Sequence, residues 1–126
     1  MIKKIKVLLV DDDFINLKLL QLMLKKNESI GEMVEARNGL EALTVLKVQP
    51  DVDLILLDIK MPIMDGIECL INLQSMQDLK NIPVIILTTD ESKKREAFEN
   101  GAFDFLLKPI RENDLKTKIS TIAKLF

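Results

Sequence analysis

Several places in the sequence could do chemistry, because each puts a carboxylate, a hydroxyl or an amine directly after an apolar run. The side chains are Asp11, Asp12, Asp13, Asp58, Thr88 and Lys108. Carboxylates about 4 Å apart repel by about 1 kcal/mol in water and about 4 kcal/mol near a protein surface, so clustered aspartates need a counter-charge. Oxygen ligands with incomplete coordination suit Mg²⁺, which often shares a phosphate oxygen. A metal, an ammonium group and a hydroxyl around one carboxylate are what phosphoryl transfer to that carboxylate requires.

The composition excludes other kinds of chemistry. The chain has 126 residues, no histidine and one cysteine, Cys69. Without histidine, the common zinc sites and the Ser-His and Cys-His nucleophile pairs are ruled out, and a lone cysteine excludes an internal disulfide. We expect Cys69 to be a small buried hydrophobic residue. The net charge of −2 gives no reason to expect binding to nucleic acid or to a membrane.

The length predicts a single domain over residues 1–126, which is long enough to bury a core. Hydrophobic residues make up 48% of the chain and charged residues 30%, as in globular proteins. The first residues include Lys3, Lys4 and Lys6 but no long uncharged apolar run, so neither a secretory signal nor a transmembrane helix is expected. We therefore expect a cytoplasmic protein.

A run of four aliphatic residues ends at Asp58 and predicts a strand that is buried on both faces. The run, residues 54–57, is too short for a helix and too uniformly apolar for a half-exposed strand. Similar runs predict strands at residues 4–10, 33–36, 83–87 and 103–107. Because a helical pattern follows each strand, the fold class is α/β, a (βα)5 doubly wound five-stranded parallel sheet with helices on both faces. The groups at the carboxyl ends of its strands should meet at one edge, where such sheets bind ligands.

The helical patterns predict which side chains face the sheet. Asp13 is the expected N-cap of the first helix, residues 14–26, and Asn38 begins the second. The fourth helix, residues 91–100, has only Ala97 and Phe98 to bury, so we expect it to be the most mobile. The stripes expected to be buried in the first and last helices are Ile15, Leu19, Leu22 and Met23, and Leu115, Ile119, Ile122 and Phe126.

The combined spacing of these residues resembles the receiver domain of response regulators, the phospho-accepting half of two-component signalling. The resemblance extends over essentially all 126 residues and implies a flavodoxin-like receiver fold. The matching positions are the acidic pair Asp11 and Asp12, the signature Asp58-x-x-Met61-Pro62-x-Met64-Asp65-Gly66, Thr88, the aromatic Phe105 and the pair Lys108-Pro109.

The resemblance also implies a function for the site. Asp58 would take a phosphoryl group from a sensor histidine kinase or a histidine phosphotransfer protein, and this chain has no histidine of its own to donate one. Mg²⁺ would bind to Asp12, Asp58 and the backbone carbonyl of Lys60, with Asp11 acting mainly through water. Lys108 would neutralise a phosphoryl oxygen. The chain would thus be a phosphoryl acceptor with self-dephosphorylation, and not an enzyme acting on a separate substrate.

A switch is also implied by the resemblance, with Thr88 and Phe105 as its residues. A downstream protein target would bind the face made by the fourth helix, the fifth strand and the fifth helix, with no direct contact to nucleic acid or membrane. Two positions depart from the family pattern. Phe105 lacks the hydroxyl of the commoner tyrosine, and Thr89 stands where alanine or glycine is usual, which narrows access to Asp58.

Two other functions remain open at this point. A phosphohydrolase resembling haloacid dehalogenases would use Asp11 as nucleophile and Asp13 as acid and base, although this leaves the signature at Asp58 unexplained. Asp13 is better explained as a helix cap. The third possibility is an adaptor that keeps only the fold and works without phosphorylation.

Overall fold

The computed structural model describes residues 3–126, which form a five-stranded sheet between two layers of helices. The elements in chain order are β1 (Ile5–Val10), α1 (Phe14–Lys25), β2 (Ile30–Ala36), α2 (Gly39–Val48), β3 (Leu54–Asp58), α3 (Gly66–Gln74), β4 (Val84–Thr88), a 3₁₀ turn (Glu91–Lys93), α4 (Lys94–Glu99), β5 (Asp104–Leu107) and α5 (Glu112–Ala123). The predicted (βα)5 order is confirmed, and β2 begins earlier than predicted, at Ile30.

The strands are parallel and lie in the order β2-β1-β3-β4-β5. Their carboxyl ends therefore share one edge of the sheet. The register pairs Val10 of β1 with Leu57 of β3, and Asp58 with Leu87 of β4. Because Asp11 follows Val10 and Thr88 follows Leu87, their side chains are brought to the same edge as Asp58.

Two apolar cores cover the two faces of the sheet, and β3 contributes to both. Ile55 and Leu57 point into the core under α2, α3 and α4, whereas Leu54 and Leu56 point into the core under α1 and α5. All five residues of β3 are buried, as the uniformly apolar run predicts. Full burial of one such side chain contributes about 1.5–3 kcal/mol, so packing on both faces fixes β3 and the Asp58 at its end.

The buried face of α1 is not the predicted one. Leu17, Leu20 and Leu24 pack against the sheet, while the predicted stripe is mostly in solvent. The exposed fractions of the predicted stripe are 63% for Ile15, 51% for Leu19 and 59% for Leu22, and Met23 is half-buried. This helix is apolar on two sides, so two stripes fit the helical period and only the sheet selects between them. As a consequence, an apolar face of α1 lies in solvent beside the edge of the sheet where the carboxyl ends of the strands meet.

Two further side chains were predicted to be buried but are exposed. Phe98 of α4 is 41% exposed, so Ala97 alone anchors this short helix in the core. Phe126 lies beyond the end of α5 and is 52% exposed, because the helix stops at Ala123. Cys69 is buried as predicted. None of the helices in residues 3–126 has both the length and the apolar character that a membrane span requires.

Candidate functional site

Three carboxylates converge at the site edge. Asp11, Asp12 and Asp58 each place an oxygen within 4.8 Å of the others. Asp11 and Asp58 are buried, with 2% and 9% of their surface exposed, whereas Asp12 is open to solvent. The β1–β3 register explains the pairing, and the amide of Asp11 donates to the carbonyl of Ala36 at 3.1 Å, which fixes the end of β1. This oxygen donor set fits Mg²⁺ and similar hard cations.

Lys108 supplies the positive charge of the site. Its Nζ lies 3.0 Å from Oδ2 of Asp11 and 3.5 Å from Oδ1 of Asp58. The Lys108 amide donates to the carbonyl of Thr88 at 2.8 Å, which ties the end of β5 to the end of β4. The ammonium group therefore bridges the two buried carboxylates, as a counter-charge for the cluster must.

The environment of Asp58 disfavours its ionised form. Burial is the main cause and the negative charge of Asp11 adds to it, so the pKa of Asp58 is raised from 3.8 to about 6. The charge of Lys108 and a hydrogen bond from the Ile59 amide at 2.9 Å oppose the rise. Lys108 alone thus compensates the cluster only partly, and a bound cation would stabilise the carboxylate further.

Thr88 is almost fully buried at the end of β4, beside Asp58. Its Oγ1 accepts a hydrogen bond from the amide of Asp90 at 3.2 Å. This bond uses the hydroxyl as an acceptor, so its hydrogen can be donated to another group. Asp90 in turn caps the 3₁₀ turn by accepting from the Ser92 amide at 3.0 Å. A movement of Thr88 would therefore move the turn that leads into α4.

Phe105 is buried in β5, with 8% of its surface exposed. It pairs in register with Ile86 and lies in the same core as Ala97 of α4. Side chains alternate along a strand, so Ile86 and Thr88 project from the same face of β4. The two predicted switch residues, Thr88 and Phe105, therefore lie on the α4 side of the sheet.

Asp13 does not join the carboxylate cluster. Its side chain caps α1 by accepting from the amide of Ile15 at 2.8 Å and from that of Asn16 at 3.4 Å. Its own amide donates to Oδ1 of Asp11 at 2.9 Å. The structure thus confirms the helix cap and gives no sign of the alternative phosphohydrolase, in which Asp13 would be the acid and base.

The loop between β3 and α3 contains Lys60 and begins directly at Asp58. Gly66 closes it, because its amide donates to the carbonyl of Ile59 at 2.8 Å. A Cβ at this glycine would lie 2.2 Å from the carbonyl oxygen of Asp58, so no other residue fits without a shift of the backbone. The sequence analysis did not predict a further contact to this loop from α2, in which the Gly39 amide donates to the carbonyl of Met64 at 2.9 Å.

An open groove of about 470 Å³ leads from the site along α1. Asp11, Thr89 and Lys108 line its inner end, and Leu19 of α1 and Ile110 line its outer part. Thr89 thus lies in the same groove as Asp11 and Lys108, and its effect on access to Asp58 stays a prediction. The outer wall continues into the exposed apolar face of α1.

Comparisons with known proteins agree with this geometry. The sequence profile of the response regulator receiver domain matches residues 7–120. A two-component response regulator-like protein of Oryza sativa subsp. indica, PRR37, is 38% identical over 117 residues, which cover 90% of this chain and 16% of the rice protein. This chain therefore spans only a small part of that relative.

Two solved structures show the same fold. A complex of CheX, CheY, BeF3 and Mg²⁺ from Borrelia burgdorferi matches with a TM-score of 0.86 and 30% identity, covering 95% of this chain and 90% of that one. The chemotaxis response regulator CheY4 of Vibrio cholerae matches with a TM-score of 0.82 and 30% identity, covering 95% and 99% of the two chains. The family profile, the parallel sheet and the acidic cluster agree, and the chain belongs to the response regulator receiver domain family of two-component signalling.

Proposed function

We propose that Asp58 is the phosphoryl acceptor of this receiver domain. The observation that carries this proposal is the bridge from Lys108 to both Asp11 and Asp58 at the end of a rigid, fully buried strand. A carboxylate oxygen of Asp58 would attack the phosphorus of a phosphohistidine. The P–N bond would break as the P–O bond forms, and the released imidazole nitrogen would take a proton from solvent.

Mg²⁺ is the proposed cation of the site. Asp12, Asp58 and the backbone carbonyl of Lys60 would hold it, and Asp11 would act mainly through water. When bound, the metal neutralises the negative charge of the entering phosphoryl group. The proximity of the three carboxylates supports this assignment, and the similar Borrelia structure contains Mg²⁺.

Lys108 and Thr88 are proposed to bind the phosphoryl group after transfer. The ammonium group of Lys108 already lies 3.5 Å from Oδ1 of Asp58, so it is close enough to bind a phosphoryl group attached to Asp58. Thr88 would keep the hydrogen bond that it accepts from the Asp90 amide and donate its own hydrogen to a phosphoryl oxygen. The 3₁₀ turn and α4 would then move toward the site, which alters the face made by α4, β5 and α5 for a downstream protein target.

The phosphodonor, a sensor histidine kinase or a histidine phosphotransfer protein, is proposed to dock on the apolar face of α1. The exposed side chains of that face are Ile15, Leu19 and Leu22. The groove beside this face ends at Asp11 and Lys108, so a protein bound there would reach the acceptor. The exposure of this face supports the proposal, because its side chains are neighbours on one helix and contiguous exposed apolar patches often mark protein contacts.

We also propose that residues 1–126 form a single receiver domain, because all five strands of residues 3–126 lie in one sheet. A cytoplasmic location remains a prediction. We also propose that the phosphoryl group is lost slowly by self-dephosphorylation, with water entering near the exposed Lys60.

Incubation with acetyl phosphate and Mg²⁺ tests the proposed function. We expect intact-mass spectrometry to show one added phosphoryl group, because the cluster needs a cation before an anion can approach. Excess chelator should reduce the labelled fraction at least tenfold, and the label should decay after the donor is removed. Labelling that is equally fast in chelator would contradict the metal site. Absence of any label, with release of phosphate instead, would favour a hydrolase.

Phe105→Tyr tests the proposed switch. The chain has no tryptophan and no tyrosine, so the fluorescence of the new side chain would report its own position. Phe105 is buried here, and a phenol would instead favour water, so we expect acrylamide to quench this variant readily. Mg²⁺ with beryllofluoride should lower the quenching about twofold or more by turning the ring inward.

Phe103→Tyr is the matched control for this experiment. Phe103 is 43% exposed and precedes β5, at the end of the strand opposite Lys108. Its quenching should not respond to beryllofluoride. An equal response of both variants, or no response of Phe105→Tyr, would show that Phe105 is not a switch residue.

A further inference from the structure

Gly39, at the start of α2, contacts the loop that follows Asp58. Its amide donates to the carbonyl of Met64 at 2.9 Å, although the two residues are far apart in sequence. Within residues 3–126, the other backbone hydrogen bonds of residues 60–65 stay inside the loop or run to α3. Met61 and Met64 also pack their side chains against the core, but the bond from Gly39 is the backbone hydrogen bond that joins the middle of this loop to α2.

The approach of Gly39 is too close for any side chain. A Cβ at this position would lie 2.8 Å from both the Cγ and the carbonyl oxygen of Met64, and 3.0 Å from Cβ of Cys69. The Met64 side chain could turn away, but the carbonyl oxygen belongs to the backbone. A larger residue must therefore push the Met64 peptide, and the loop with it, away from α2.

The middle of the loop contains a strained backbone turn. The Met64 amide donates to the carbonyl of Pro62 at 2.7 Å, which makes a three-residue turn centred on Ile63. Ile63 has a φ of 71°, which is strained for a β-branched residue, and its side chain is 76% exposed, so burial does not compensate the strain. The hydrogen bonds of Gly39 and Gly66 on either side keep the turn in place.

We propose that Gly39 is a positioning residue for the metal site, acting through the hydrogen bond to Met64. This inference rests on the proposed function, because it assumes that the Lys60 carbonyl in the same loop is a Mg²⁺ ligand. The aspartates come from the ends of β1 and β3, whereas the close contacts of Gly39 are with Met64 and Cys69. Loss of the Gly39 contact would therefore move one expected ligand and leave the carboxylates where they are.

Gly39→Ala should weaken Mg²⁺ binding about 10-fold to 100-fold, the range usual for groups that orient metal ligands. Alanine is preferred over glycine inside helices, so an effect of helix propensity alone would leave binding unchanged and the fold at least as stable. Mg²⁺ titration followed by the amide resonances of Ile59 and Lys60 measures the affinity, and urea unfolding in chelator measures the stability. Gly31→Ala is the matched control.

The control glycine lies at the start of β2, at the edge of the sheet opposite the site. A Cβ at Gly31 would lie 3.1 Å from Cβ of Lys4, so this variant tests a crowded glycine without contact to the loop. We expect its Mg²⁺ affinity to equal that of the wild type. Equal affinities of Gly39→Ala and wild type, or equal losses in both variants, would overturn the inference.

If Gly39→Ala does not fold, hydrogen exchange of the wild-type protein tests the positioning role of Gly39. Coupling between two sites is reciprocal, so Mg²⁺ must strengthen the Gly39 hydrogen bond if that bond favours Mg²⁺ binding. Exchange at Gly39 should slow more on Mg²⁺ saturation than exchange at Ile5, whose amide donates to Ser29 at the opposite edge. Equal slowing at both amides would overturn the inference. If wild type binds no Mg²⁺ near Asp58, the proposed function itself fails and this inference fails with it.

Discussion

Asp58→Asn is expected to abolish phosphorylation by acetyl phosphate, with a labelled fraction at least 100-fold below that of the wild type. The amide is a poor nucleophile, and the other carboxylates of the cluster belong to the expected metal site. Asp13→Asn is the control, because asparagine also caps helices and should leave labelling near the wild-type level. A label that survives in Asp58→Asn and maps to Asp11 would instead support the alternative phosphohydrolase.

The same variant should stabilise the metal-free protein. The pKa of Asp58 is about 6 in the folded state against 3.8 without perturbation, so the folded state holds its proton to higher pH than the unfolded state. The wild-type free energy of unfolding should therefore fall as pH rises from about 4 to about 6, by up to about 3 kcal/mol. Asp58→Asn removes this ionisation, and we expect it to be about 1–3 kcal/mol more stable at pH 7.

Urea unfolding in chelator between pH 4 and pH 8 measures this difference. Asp78→Asn, at an exposed aspartate away from the site, controls for the loss of one negative charge. Saturating Mg²⁺ should narrow the gap between wild type and Asp58→Asn, because the metal stabilises the wild-type carboxylate. If the metal-free wild type and Asp58→Asn have equal free energies of unfolding at pH 7, the ionised Asp58 does not destabilise the fold.

Most of the site could be predicted from the sequence because its reactive side chains lie at the carboxyl ends of strands. Uniformly apolar runs identify buried strands, and parallel strands bring their carboxyl ends to one edge whatever the details of packing. Asp11, Asp58 and Lys108 therefore converge as the order of the runs indicates. The caps at Asp13 and Asn38 were equally predictable, since each is a local hydrogen bond between a side chain and nearby amides.

The features that could not be predicted depend on choices that the local pattern leaves open. In α1, Leu17 and Leu19 lie on different apolar faces, and only contact with the sheet determines that Leu17 is buried. The hydrogen bond from Gly39 to Met64 joins two backbone groups, so no side chain marks it. The positive φ of Ile63 also runs against the preference of its residue type. Surface faces and loop strain are set by tertiary contacts, and both bear on the function here.

Lys108→Ala is expected to separate phosphorylation from switching. Labelling with acetyl phosphate should continue, because the proposed metal still neutralises the incoming charge, but at a rate about tenfold lower. The label should no longer shift the NMR resonances of Phe98 and Phe105, because the ammonium group that would bind the phosphoryl group is absent. In the metal-free state the variant should be less stable by about 2–4 kcal/mol, since Asp11 and Asp58 lose the charge between them.

The direction in which Mg²⁺ affinity changes distinguishes the proposed role of Lys108 from that of an ordinary structural lysine. Its Nζ occupies the space beside the carboxylates that a cation would use, so Lys108→Ala should bind Mg²⁺ several-fold more tightly than the wild type. Lys118→Ala is the matched control, because Lys118 forms an ion pair of 2.9 Å with Asp104, on the face of α4, β5 and α5. That variant should keep wild-type Mg²⁺ affinity and phosphoryl-induced shifts. Weaker Mg²⁺ binding in Lys108→Ala, or wild-type shifts of Phe105 after labelling, would contradict the role proposed for this lysine.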